Sequence, residues 1–567
     1  MSLLEHGLAL RARHRQPPSA APTGHTTHEV ANQAPPFVDA DLFGTDLPLR
    51  EAVEREGAGW AVDRLHEAGV VAGSAAAQEH GRRADRNEPR LLTHDRHGHR
   101  VDLVDYDPSW HWLLRGAVER EIHSLPWRAP QPGAHVARAA LEHVWSQLNG
   151  GVMCPVSMTY SAIPALRHNP ELAAEWEPRL TAPDYSNGAL CGMAMTEKQG
   201  GSDVRANTTQ AVDVGDGHYE LTGHKWFCSH PMCDVFLVLA QAQAGLSCFV
   251  VERGPGMEIQ RLKEKLGTRS LASSEIEFRA APGRLLGEEG RGVSTIIDMV
   301  THTRLDCVIG TASAMRRAVA EAVNHARGRS AFGARLIDQP LMLNVLADLA
   351  LESEAATATA MRLARAYDEG DTLMRRFGTA VLKYWVCKRS IPMIAEAMEC
   401  HGGNGYVEEG PMPTILRDVG VNGIWEGSGN VMSLDVLRAM AREPDALPAF
   451  LAECELARGA DARLDAHLDS LPQTLAGLAD DAKSEAASLT PRETVGRREA
   501  STTAQWQARR IVEDLALAFQ ASLLVRTAPT AVADGFCAGR LGESRGRAFG
   551  TLPRGVDGGG VVARVLP

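Results

Sequence analysis

The feature that most constrains this chain is a hydrophobic period that changes twice. From Asp46 to about Gly188, apolar residues recur three and four apart, as in LREAVEREGAGW and AHVARAALEHVWSQL. That spacing predicts helices. From Ala189 to about Gly292 the pattern turns to short alternating runs divided by turn signals. HYELTGHKWF follows Asp216-Gly217, and DVFLVLAQ, LSCFVVE and SSEIEF come after it. Period-two runs at this spacing predict an antiparallel β domain. The helical period then returns. Val293, Ile296, Ile297, Val300, Leu305, Val308 and Ile309 lead on through Ala326 and predict one long buried helix with an irregularity near Thr301. Further helices are expected over roughly 340–368, 372–401 and 430–442. A polar stretch, DAKSEAASLTPRETVGRREAST, follows, and then a last helical run over about 502–540. The fold class is therefore mainly α with a central β domain. Five stretches are expected: a flexible N-terminal extension over 1–40, a helical domain over 41–189, the β domain over 190–290, a helical bundle over 291–445, and a C-terminal helical extension and tail over 446–567.

Composition narrows the function. A chain of 567 residues, 44% hydrophobic, can build a large core and several domains. Its formal charge of −12 argues against a general polyanion binder. Ten scattered cysteines with no Cys-x-x-Cys pair point to free thiols in a reducing cytoplasm and not to a zinc site. No metal is expected. The N-terminus has Arg11, Arg13 and Arg15 but no apolar signal core. No run approaches the roughly 20 apolar residues of a membrane span.

Five motifs carry possible chemistry. MTEKQGGSD, from Met195 to Asp203, follows a short apolar strand. Gly200-Gly201 would let backbone amides approach a ligand closely, and Thr196 and Ser202 add hydroxyls. A β-turn with local capping explains the same residues. In LTGHKWFCSH, Trp226 and Phe227 are placed to cover a planar ring, with Ser229 at its edge. Core packing is the alternative. RSAFG, Arg329 to Gly333, puts a guanidinium and a glycine at a helix end. That suits a phosphate clamp or a plain helix stop. HGGNGY, from His401, reads as a close backbone approach or a helix cap. In RDVGVNGIWEGSGNVM, Glu426 lies between Trp425 and small residues. A carboxylate in such company has a raised pKa, which suits a general base; a helix N-cap is the alternative. There is no Gly-x-Gly-x-x-Gly after a strand, so a Rossmann cofactor mode is not supported.

In order and spacing these motifs resemble the acyl-CoA dehydrogenase superfamily. KLGTRS (Lys265 to Ser270) and LLGEEGRG (Leu285 to Gly292) match its exit from the β domain, and Arg417-Asp418 matches the pair that precedes its catalytic Glu. The resemblance covers about residues 40–445. It implies a helical N-terminal domain, a barrel-like antiparallel middle domain and a C-terminal four-helix bundle. It also implies FAD as cofactor and α,β-dehydrogenation of an acyl-CoA, with Glu426 as base. Carried over residue by residue, the cofactor contacts are Met195, Thr196, Gly201, Ser202, Phe227 (the position of the flavin-covering Trp), Cys228, Ser229, Trp425, Gly427, Ser428 and Asn430. Arg329, Phe332, Gly402 and Gly403 match residues that reach the FAD of a neighbouring protomer. EREGAGW, VCKRSIPMIAEAME and IWEGSGN further resemble the AidB-like branch. That branch implies a homotetramer, isovaleryl-CoA-type activity on short or branched acyl chains, and binding of double-stranded DNA through the C-terminal region.

Departures from the family pattern bear on activity. Gln339 precedes Pro340 where the family's glutamine falls one place later, Glu399 replaces a common Gln, and Trp425 replaces Tyr. Three readings therefore stand: a dehydrogenase passing electrons to an electron-transfer flavoprotein, a DNA-binding flavoprotein with a vestigial site, and an oxidase reoxidised by oxygen. For DNA the sequence offers little. Residues 441–567 carry 15 Lys and Arg against 17 Asp and Glu. Only Pro491 to Arg510 is locally basic, through Arg492, Arg497, Arg498, Arg509 and Arg510. Helix-surface charge explains this run as well as phosphate contacts do.

Overall fold

The computed structural model describes residues 27–488, 502–544 and 546–567. The first stretch is helical: α1 (Leu47–Arg55), α2 (Val62–Gly73), α3 (Ala75–Arg86), α4 (Pro108–Glu119), α5 (Ala134–Trp145), α6 (Met153–Leu166) and α7 (Pro170–Leu180). Local chemistry sets several starts. Asp46, Ser74, Asp107 and Asn169 each accept a hydrogen bond from a first-turn amide, and prolines stand in the first turns of α1, α4 and α7. One hairpin interrupts the helices, β1 (Arg90–His94) with β2 (Arg100–Asp105). The helical reading of this region passed over it, although Arg-Val-Asp-Leu-Val-Asp alternates and Gly98 turns the chain at φ 86°. Residues 32–40, expected within the flexible extension, also pack. Phe37 is buried, Asp39 N–H donates to the Gly73 carbonyl, and Gln78 donates to the Phe37 carbonyl.

The β domain has seven strands: β3 (Cys191–Ala194), β4 (Gln210–Gly215), β5 (His218–Ser229), β6 (Val235–Ala242), β7 (Gly245–Glu252), β8 (Met257–Leu262) and β9 (Ser273–Leu286). β9 pairs with β5, β7 and β8; β7 pairs with β6, and β6 touches β4, so the path closes on itself as a barrel does. Most pairings are antiparallel as expected. The exceptions are β3 with β6, paired in parallel from Cys191↔Val235 to Ala194↔Val238, and a single parallel bridge between β4 and β6. β3 arrives from a helix rather than from a hairpin turn, which leaves its direction free.

After the barrel comes α8 (Gly292–Gly328), 37 residues without a break and so about 55 Å long. The irregularity expected at Thr301 is absent; its hydroxyl simply donates to the Ile297 carbonyl four residues back. A tight hairpin, β10 (Ser330–Ala331) and β11 (Ala334–Arg335), turns the chain into α9 (Pro340–Asp368). Then follow α10 (Thr379–Glu399), α11 (Met412–Val419), α12 (Gly429–Arg442), α13 (Ala446–Glu455), α14 (Ala462–Ser488), α15 (Thr502–Thr527), α16 (Thr530–Arg540) and α17 (Gly558–Ala563). The last helical run is two helices, because Pro529 cannot continue the first. One hydrophobic core joins the N-terminal helices, the bundle and the extension, from Phe37 to Leu566. A second fills the barrel and reaches α6, α7 and the start of α8.

Candidate functional site

The loop after β3 is fixed from below by a buried ion pair. Lys225 Nζ on β5 lies 2.8 Å from Glu197 Oε1 and also donates to the Leu239 carbonyl. Glu197 accepts further bonds from the Thr208 and Thr209 amides. Burial works against its ionisation, but Lys225 and these donors outweigh it and hold the carboxyl at about 2. Above the pair, Met195, Thr196, Gly201 and Ser202 form a tight turn closed by a bridge between Glu197 and Gly200. Gly201 has to be glycine, since a Cβ there would stand 2.5 Å from Thr196 Oγ1. The Trp226 amide donates to the Thr196 carbonyl, tying this turn to β5. Between Lys225 and Cys228 the β5–β9 register shifts, so β5 carries a bulge at Trp226-Phe227. Bulges re-aim side chains. Here Phe227 is left 53% exposed, while Trp226 carries the Lys263 ammonium 3.1 Å over its ring. Cys228 is buried in the barrel, and its neighbour Ser229 bonds the Cys154 side chain of α6.

That thiol also senses the charge of Glu426, so α6 brings the end of β5 and the WEGSGN loop to one place. Glu426 holds a left-handed conformation, φ 57°, followed by Gly427 at φ 107°. For a non-glycine residue this costs about 1–2 kcal/mol, and two cations hold it. Lys383 of α10 donates to the carbonyls of Trp425 (2.7 Å) and Gly427 (2.6 Å). Arg304 of α8 donates from Nε to the Glu426 carbonyl at 2.9 Å. Arg304 is in turn fixed by Asp435 of α12 at 2.8 Å. Three consecutive carbonyls thus face cations. Burial pushes the Glu426 carboxyl above its ordinary range, against the neighbouring Thr303 and the Arg304 and Lys383 charges. Ser428 is the N-cap residue of α12, and Asn430 Oδ1 accepts from Arg509 Nε at 2.9 Å.

The remaining candidates lie elsewhere on the protomer. Arg329 and Phe332 follow the far end of α8, about 39 Å along its axis from Thr303. Gly402 and Gly403 lie at the same end, since His401 packs on His325 at 4.8 Å between ring centroids. The Arg417-Asp418 pair is structural. Asp418 accepts from the Thr268 amide at 2.5 Å, and Gly267 lies so close to Arg417 that a Cβ would meet its backbone at 2.4 Å. The pair therefore pins the barrel exit to the bundle. Of the basic residues considered for DNA, Arg497 and Arg498 fall outside the described residues. Arg509 is exposed and donates to Asn430, itself exposed, and Arg510, also exposed, faces Asp514 at 4.0 Å.

Sequence reasoning missed Lys383, Arg304, Lys225 and Cys154. The GHKWF stretch held Lys225 in plain sight, but a single Lys in an apolar run carries no signal of its partner.

The residues present fit a flavin dinucleotide. Trp425 Nε1 is a buried donor with no hydrogen-bond partner among the described residues. Ser202 is exposed and Thr196 half-buried. At Gly200, Gly402 and Gly403 a Cβ would meet nothing within 4 Å, so the backbone faces open space there. Fold and site are those of an FAD-dependent flavoprotein of the acyl-CoA dehydrogenase type.

Comparison with known proteins narrows this further. Three family models match in order: the adaptive response protein AidB N-terminal domain over residues 32–187, the acyl-CoA dehydrogenase middle domain over 192–281, and the acyl-CoA dehydrogenase C-terminal domain over 290–441. The chain is 43% identical over 470 residues to the putative acyl-CoA dehydrogenase AidB of Escherichia coli (strain K12), covering 79% of this chain and 87% of that protein. The solved structure of Caenorhabditis elegans ACDH-11 in complex with C11-CoA is 28% identical, with a TM-score of 0.81 over 91% of this chain and 92% of that one. An acyl-CoA dehydrogenase complexed with FAD from Bacillus anthracis shares the fold at 19% identity and a TM-score of 0.61, over 76% of this chain and 80% of that one. The chain belongs to the acyl-CoA dehydrogenase family, in its AidB branch. No helix among the described residues is long and apolar enough to cross a membrane.

Proposed function

We propose that this protein oxidises an acyl-CoA thioester between Cα and Cβ, with Glu426 as the base. The observation that carries this reading is the WEGSGN loop. A strained carboxylate with a raised pKa is held by Lys383 and Arg304 at the junction of barrel and bundle. Glu426 takes the α-proton, the Cα–Cβ double bond forms, and the β-hydrogen leaves with its electron pair. FAD, when bound, supplies the acceptor for that hydride. Residues Met195, Thr196, Gly201, Ser202, Phe227, Ser229, Trp425, Ser428 and Asn430 would hold it, and an electron-transfer flavoprotein would be the electron acceptor. In this reading the Glu426 amide polarises the thioester carbonyl.

The second half of the cofactor site belongs to another protomer. Arg329, Phe332, Gly402 and Gly403 lie too far from Glu426 to serve the same flavin, and they present a half-buried cation, an exposed ring and open backbone. A homotetramer with shared sites follows. The substrate is a short or branched acyl-CoA of the isovaleryl type. Anaerobic titration of the yellow protein with isovaleryl-CoA, butyryl-CoA and an eleven-carbon acyl-CoA tests the reading. Bleaching of the flavin by isovaleryl-CoA at the lowest concentration supports it, bleaching by the long chain alone overturns the chain-length assignment, and no bleaching by any of them overturns the dehydrogenase. For DNA, the described Arg509 and Arg510 are exposed but each already faces a partner, Asn430 and Asp514.

A further inference from the structure

The hairpin β10–β11 is built as a finger. Phe332 and Gly333 form its two-residue turn, both with positive φ (52° and 83°), as a type I′ turn requires. Glycine suits such a turn and phenylalanine does not. Yet Phe332 is 99% exposed in the single chain. A side chain that is both strained and left in water points to a surface it enters elsewhere. The finger therefore has to be held rigid from its own protomer. On one side Gln339 Nε2 donates to the Ala331 carbonyl at 2.7 Å.

On the other side stands a residue from the opposite end of the chain. Asn32 Nδ2 donates to the Ser330 carbonyl (2.8 Å), and Asn32 Oδ1 accepts from the Ser330 amide (2.7 Å). Its side-chain amide thus satisfies both outward backbone groups of β10, as a third strand would. The Asn32 carbonyl also accepts from Arg329 Nη1 at 2.8 Å, which fixes the guanidinium and leaves its other donors for a ligand. Asn32 itself holds φ 56°. The strap that carries it is seated by design of the helix beneath. A Cβ on Gly328 would stand 2.8 Å from Ala34, Asn324 donates to the Pro35 carbonyl, and Phe37 packs under Arg317.

We propose that Asn32 is a positioning residue for the shared cofactor site: it pre-orders Arg329 and the Phe332 finger for docking onto a second copy of this chain and its FAD. The proposal rests on the two-protomer reading given above. Asn32 touches no reacting atom, so its effect falls on cofactor affinity and assembly, not on the chemical step. Asn32→Gly is the cleanest variant, because glycine keeps the left-handed backbone and the carbonyl and loses only the amide.

The test uses the full chain. FAD is titrated into deflavinated protein, and sedimentation velocity is run with and without FAD. Asn32→Gly is expected to weaken FAD binding about fivefold, with tetramer lost at correspondingly higher protein concentration. At saturating FAD the flavin-bleaching rate stays at the wild-type value. Gly328→Ala, which lifts the strap off α8, moves the same readouts in the same direction. In a protein already carrying Arg329→Ala and Phe332→Ala, Asn32→Gly has no further effect. If Arg329→Ala weakens FAD binding but Asn32→Gly does not, or if its penalty persists undiminished in the double variant, the positioning role is wrong. If Arg329→Ala itself leaves FAD affinity unchanged, the two-protomer reading fails and this proposal falls with it.

Discussion

Replacing Lys383 with methionine tests the mechanical account of the site most directly. The ammonium is 1% exposed and donates to the Trp425 and Gly427 carbonyls, one on each side of the base. Each hydrogen bond to a charged group is worth about 1.5–3 kcal/mol, so two are worth roughly 3–6. Methionine is close in length and escapes the cost of burying a charge, which offsets several kcal/mol of that. The net loss of stability is therefore about 1–3 kcal/mol, small enough for a protein with this much core to stay folded. The kinetic effect is larger. Without Lys383 the loop is held only by Arg304, and the φ 57° strain at Glu426 is free to relax. A shift of about 1 Å in a reacting group costs about 10²-fold.

Stopped-flow bleaching of the FAD-loaded variant by acyl-CoA is expected to slow by that factor. A second readout separates positioning from simple loosening. The Lys383 charge lowers the Glu426 pKa, so its removal shifts the rising limb of bleaching against pH to higher pH. Wild-type bleaching at every pH in a folded, yellow Lys383→Met protein would refute the clamp.

Glu426→Gln should keep FAD bound and cut flavin reduction by at least about 10²–10⁴-fold; wild-type bleaching in the folded variant removes the catalytic assignment. The Asp418 carboxyl is pushed up to about 7, first by burial and then by its neighbour Asp85. The folded protein therefore keeps a proton that the unfolded chain has released above about pH 4, and stability falls as pH rises from about 4 to 7. Asp418→Asn, which can still accept from the Thr268 amide, should flatten that fall in melting temperature; an unchanged slope assigns it to other groups. Analytical ultracentrifugation of the FAD-loaded protein should give four times the chain mass, and a monomer that retains FAD tightly contradicts the shared site.

Much of the architecture is legible because it rests on period. The switch from spacing of three and four to spacing of two at Ala189, and back at Gly292, marks where the barrel begins and ends. The hairpin β1–β2 was lost because its alternation, RVDLVD, is short and lies between two strongly helical stretches; the face formed by Leu92, Val101 and Leu103 remains exposed. The direction of β3 could not be read, since strand pairing is a long-range choice that no local pattern encodes. The motifs brought Glu426 and the glycine turns to attention. They did not bring Lys383 or Arg304, because both act on backbone carbonyls more than 40 residues away. A carbonyl is present at every residue, so sequence gives such contacts no signature.

Beyond the run that ends at Arg510, the arginines of the C-terminal extension gave no signal of their own in the sequence, and several of them are committed within the fold. Arg526 shares Glu453 with Arg362 of α9, Arg540 meets Asp348 and Glu352, and Arg564 bridges Glu354 and Glu51. All but Arg526–Glu453 cross from the extension to α9 or α1, and the apolar face between them is continuous with the bundle core. Buried pairs of this kind add little net stability but penalise any other docking of the segment, since a lost partner leaves a charge unpaired. They therefore set the register in which α15 lies across α10 and α12. That register delivers Arg509 to Asn430, two residues beyond the N-cap of the helix that follows Glu426. The extension thus abuts the WEGSGN loop, with Arg509 beside both Asn430 and Gly429.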